Sequence, residues 1–96
     1  MITVEKKDNK VIISGHAKFA DHGKDIVCAS VSSMVYTTVN AILNFDKDSI
    51  KIEDKEDFII TLLKDSKETK ILIDNLITLL KDLGESYPKN IKVKGE

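Results

Sequence analysis

At 96 residues the chain is long enough for one domain and too short for two. Its charges nearly cancel, 15 basic against 16 acidic for a net −1, so the totals give no reason to expect direct nucleic-acid binding, which usually needs a basic excess. All 15 basic residues are Lys, and without Arg there is no bidentate fork for carboxylate, phosphate or guanine. A ligand is expected to be held by main chain and apolar pockets instead.

Ile2 and Val4 alternate with Thr3 and Glu5, the pattern of a strand with one face in water. Lys6 to Lys10, with Asp8-Asn9 at its centre, has turn chemistry, and Val11, Ile12 and Ile13 follow as a second strand. Ser14 to Lys24 is a loop with Gly15 and Gly23 near its ends; at eleven residues it exceeds the usual strand-to-helix link. Asp25 to Asn44 has helical spacing, with Val27, Val31, Val35 (or Met34), Val39 and Ile42 on one face and Asp25 as the N-cap. The helix is rich in β-branched residues, so the apolar period carries this reading, not propensity.

Ile50 and Ile52, a polar turn over Glu53 to Asp57, and Phe58, Ile60 and Leu62 predict a second hairpin. Glu68 to Gly84 carries the densest helical pattern, with Leu72, Leu76, Leu79, Leu80 and Leu83 and with Ile73 and Ile77 beside them. Gly84 is the expected stop, and Pro88 follows. Ile91 and Val93 form a last short strand. The order ββαββαβ implies an α+β two-layer sandwich, one mixed sheet with two helices packed on it, in a single domain spanning 1–96. The second helix has apolar positions covering more than one stripe, which in so small a domain points to a pairing surface and a homodimer.

A lone cysteine forms no internal disulfide and suits a reducing cytoplasm. The opening MITVEKKDNK turns polar after four residues, so neither a signal peptide nor a lipid anchor is expected. The longest unbroken apolar run is four residues, and no membrane association is expected.

The chemistry concentrates in residues 14–32, SGHAKFADHGKDIVCASVS, which hold the single cysteine and both histidines. With Asp25 as cap, Cys28 is the third residue of its helix, where main-chain N–H groups and the macrodipole favour a thiolate. A nearby histidine would stabilise that thiolate and later protonate a leaving amine. On spacing, either His16 or His22 qualifies. The plainer account makes Cys28 a small core hydrophobe flanked by Ile26, Val27 and Ala29. Asp25 either caps the helix or orients a histidine, and Ser32 shares the helix face of Cys28. A metal site is disfavoured: H-x5-H-x5-C matches no compact zinc pattern and there is no second cysteine. No phosphate-binding glycine motif is present.

G-H-A at 15–17, G-x-D-I-V-C-A-x-x-S at 23–32 and the twelve residues from His16 to Cys28 resemble the ribosomal-processing cysteine protease family Prp. The M-I-T-V opening, V-N-A-I at 39–42 and the Y-x-x-N-I-K-V ending at 87–93 resemble it too. The resemblance implies a cysteine endopeptidase with Cys28 as nucleophile and His16, rather than His22, as base. Gly15, Asp25 and Ser32 fall on the family's other characteristic positions. It further implies a homodimer, no cofactor, and a substrate: the N-terminal extension of a large-subunit ribosomal protein, the twenty-seventh, removed so that ribosomes can assemble. Phe19 and His22 lie outside the motif. The alternative is a non-catalytic, ribosome-associated binding module in which Cys28 is a core residue.

Overall fold

The computed structural model describes residues 1–15 and 26–95. Two hairpins, two helices and a closing strand appear in the expected order: β1 (Ile2–Lys7), β2 (Lys10–Ser14), α1 (Ile26–Phe45), β3 (Ile50–Asp54), β4 (Phe58–Leu62), α2 (Lys67–Ser86) and β5 (Ile91–Gly95). The strands form one sheet in the order β3-β4-β2-β1-β5. Three of the pairings are antiparallel; β1 and β5 run parallel, with Ile2 opposite Ile91, because β5 returns by way of α2. This is the mixed sheet of an α+β fold.

Alternation decides which face is buried. Ile2, Val4, Val11, Ile13, Ile50, Phe58, Ile60, Leu62 and Ile91 point into the core from all five strands. They meet Val27, Val31, Val35, Val39 and Ile42 of α1 and Ile73, Leu76 and Leu80 of α2 in one continuous cluster. The stripe predicted for α1 is therefore the stripe that packs, and Val35 fills the position for which Met34 competed; Met34 is partly buried beside it. The opposite face of the sheet carries Thr3, Glu5, Ile12, Ser14, Ile59 and Thr61 and is covered by neither helix, as their intermediate burial shows.

Two local devices set the geometry around this core. At the first turn Asp8 takes a positive φ of 54°, which Asp tolerates better than most residues. The next residue, Asn9, then clamps the end of β4: its carbonyl accepts from the Leu62 N–H at 2.7 Å and its Nδ2 donates to the Leu62 carbonyl at 3.1 Å.

The second helix departs from expectation at both ends. It starts at Lys67, with Ser66 as N-cap accepting from the Thr69 N–H at 3.3 Å. It also runs through Gly84 to Ser86. Gly84 is no stop; a Cβ there would sit 3.5 Å from the Ile91 carbonyl, so the glycine lies where α2 approaches β5. Pro88 accounts for the true end. A residue before proline is pushed out of the helical region, and Tyr87 leaves it at φ −130°, ψ 61° while its N–H donates back to Leu83.

Candidate active site

The site is built at the start of α1. The helix α1 is described over Ile26–Phe45, with Cys28 third in that span; Asp25, the expected cap, lies outside the described residues. The first turn of α1 contains no acidic residue, and the helix as a whole carries no charge. Among the described residues, α1 therefore sets no carboxylate of its own against the macrodipole's positive end at Cys28, an arrangement that favours thiolate over thiol. Cys28 lies on the inward side of α1 with Val31, Val35, Val39 and Ile42, and 8% of its surface is exposed. That is the burial of a packed residue at the edge of the core.

Ser32, one turn on, donates its hydroxyl to the Cys28 carbonyl at 2.8 Å. Ser30 does the same to Ile26 at 2.7 Å. Both bond back to the preceding turn, the usual habit of helix serines, and stiffen the turn that presents the cysteine. Ser32 thus holds the backbone of Cys28 through its carbonyl.

Gly15 is required on steric grounds. It follows β2 at φ +82°, and a Cβ there would stand 2.2 Å from the Met1 carbonyl oxygen. Only glycine fits so close to another main chain at positive φ. Nothing in the local sequence announces this contact, because Met1 is brought alongside by the β1–β2 pairing, which sets Thr3 opposite Ser14. Of the other residues singled out from sequence, His16, Asp25, Phe19 and His22 lie outside the described residues, as does most of the predicted 14–24 loop. Among the described residues no three His, Cys, Asp or Glu side chains come together to hold a metal.

By length and composition α1 is apolar enough to cross a bilayer. Six of its residues are sunk in the core, so it is the central helix of a folded domain. A cysteine in the first turn of such a helix, with a glycine following β2, suits a thiol hydrolase. Comparison with known proteins gives that class a family. The chain matches the family described as "Cysteine protease Prp" over residues 1–92. It is 30% identical to the ribosomal processing cysteine protease Prp of Staphylococcus aureus, covering 97% of each chain. The Bacillus subtilis protein of that name is 44% identical over 45 residues, 43% of this chain and 40% of that protein. A crystal structure of S. aureus Prp with a covalently linked product peptide superposes with a TM-score of 0.87 at 28% identity, covering 100% of both chains. The chain belongs to the Prp family and is a cysteine protease.

Proposed function

We propose that this protease removes the N-terminal extension of the large-subunit ribosomal protein L27, with Cys28 as nucleophile and His16 as base. The observation that carries the reading is the full-length similarity to a relative captured with a covalently linked product peptide, together with a cysteine seated in the first turn of α1. In this mechanism the Cys28 thiolate attacks the scissile carbonyl carbon. The oxyanion that forms draws on the positive end of α1. The His16 imidazolium gives its proton to the leaving amine as the C–N bond breaks, leaving a thioester on Cys28. Water, losing a proton to His16, then attacks the thioester; the acid is released and the thiolate–imidazolium pair returns. Gly15 directly precedes His16 in the chain, Asp25 is assigned the cap of α1, and Ser32 steadies the turn. No metal or organic cofactor is needed, and all of it lies in one domain, 1–96. With one cysteine and so no internal disulfide, the enzyme works in the cytoplasm.

The enzyme acts as a homodimer, and α1 supplies its interface. The outer side of α1 shows Ala29, Ser33, Thr37 and Ala41 at four-residue spacing, all exposed, with Tyr36 and Leu43 beside them and no charge. In a chain that is 32% charged, so large a neutral face suits contact with a second copy. This moves the pairing surface away from α2, where the sequence pattern puts it, because there the exposed Ile71 and Leu79 are interspersed with Lys70, Asp74, Lys81 and Asp82.

The burial of Cys28 is also what the rival account, a non-catalytic ribosome-associated module, requires. One experiment separates them. Incubating the purified L27 precursor with the protein and weighing the products should show loss of the extension with wild type. Cys28→Ala and His16→Ala should stay folded and slow cleavage by about 10³-fold or more. Cleavage by Cys28→Ala at the wild-type rate eliminates the catalytic reading.

A further inference from the structure

The charge totals hide a segregation that the sheet makes visible. The face left uncovered by the helices carries Lys7, Lys10, Lys51, Lys92 and Lys94 against Glu5 and Glu53, within a chain whose net charge is −1. All five lysines are exposed. Each acid sits beside one lysine, Glu53 at 4.0 Å from Lys51 and Glu5 opposite Lys94 in the β1–β5 register, so among the described residues the face keeps an excess of three lysines, five less two. Lys7 and Lys10 face each other directly across the first hairpin, a like-charge pairing that costs the isolated sheet stability. The same row continues through Thr61 to Lys51, crossing four adjacent strands. At roughly 4.8 Å per strand it is about 14 Å long. Beside it a depression of about 300 Å³ is lined by Lys7, Asp8, Asn9, Lys10 and Ile12, so Asp8 is the one acid that borders the row there.

We propose that this row binds the sugar–phosphate backbone of RNA. Lysine ammonium groups recognise phosphate as point charges, and Thr61 can add a hydroxyl donor. Among the described residues the face offers no aromatic ring to stack a base, and the chain has no arginine to read guanine, so binding follows the backbone and ignores sequence. The row lies on the side of the sheet away from Cys28, which packs with the helices, so RNA can be held while a peptide is cut. The choice of RNA over another polyanion rests on the ribosomal-processing reading; the basic row itself does not.

The test titrates a fluorescent oligouridylate of about 20 nucleotides with Cys28→Ala protein and follows anisotropy from about 50 to 200 mM salt. Binding should weaken with salt at a log–log slope near −2, as about three neutralised phosphates on a single strand give. The K7E/K10E variant should lose about tenfold or more in affinity and flatten the slope by 1 to 2 units, roughly one per lysine. K67E/K81E, the same charge change on α2, should bind within about twofold of the parent. Should K7E/K10E fail to fold by circular dichroism, K51E/K92E takes its place. No binding at the lowest salt, or an equal loss in K67E/K81E, overturns the proposal. Polyglutamate of equal length binding as tightly as RNA overturns the assignment to RNA. These outcomes are read without cleavage, so failure here and failure of the protease reading remain distinct.

Discussion

The two helices are the same length, 20 residues each, and share one core, yet they are written in different alphabets. In α2 an apolar stripe of Ile73, Leu76 and Leu80 faces the sheet, while Lys, Asp and Glu alternate over the outer surface. A surface helix of a small domain looks like this. In α1 both sides are neutral, and the stripe facing the core includes the cysteine. The difference separates two jobs. Removing charge from α1 protects the field at Cys28 and leaves a face that a second copy can cover. Keeping charge on α2 lets that helix contribute burial alone.

That division of labour can be broken first on stability. Leu76 is completely buried, so Leu76→Ala should cost about 2–5 kcal/mol in denaturant unfolding. Cys28→Ala, which removes a single sulfur at the edge of the core, should cost far less while abolishing cleavage. Equal losses of stability would mean that α1 and α2 do the same work.

A smaller effect sharpens the contrast between the outer faces. Thr37→Lys puts a charge at the centre of the neutral face of α1 and should shift sedimentation toward monomer. Asn75→Lys, on the exposed side of α2, should leave the association state unchanged.

The smallest effect concerns the junctions that follow α1 and precede α2. The Asp46 carboxyl accepts the Asp48 N–H and is bonded by Lys64 at 3.1 Å, and both hold it below the ordinary carboxylate range. Lys70 holds Asp65 below that range in the same way. Each folded-state pKa lies below its unfolded value, so the stability these groups contribute is present at neutral pH and is lost as pH falls below about 4. Asp65 is exposed and Asp46 half-buried at the surface, so the slope is shallow. Asp46→Asn and Asp65→Asn should each flatten acid unfolding in that window, which thermal melts across it would record.

How much of this was legible in the sequence varied with the range of the contact. The α1 stripe follows from spacing within one helix, and it is the stripe that packs. The end of α2 is misplaced by the sequence pattern because Gly84 resembles a stop, whereas the helix runs on to Ser86 and ends before Pro88. Gly15 is illegible for another reason, since its need for no side chain comes from Met1, which precedes β1. The strand order β3-β4-β2-β1-β5 depends on pairings between distant segments, which local alternation does not specify. Net charge likewise concealed the lysines gathered on one face, because facing is a property of register. The choice of His16 over His22 came from the family motif, and both histidines lie outside the described residues.

The central claim is that Cys28, although packed, is a working thiolate. The rate of its alkylation by iodoacetamide against pH tests this directly, since it is the single thiol in the chain. A catalytic Cys28 should react well below pH 8.5, about the unperturbed cysteine value, and His16→Ala should move the profile upward. A thiol that reacts slowly and only above that value, with His16→Ala making no difference, would contradict the account.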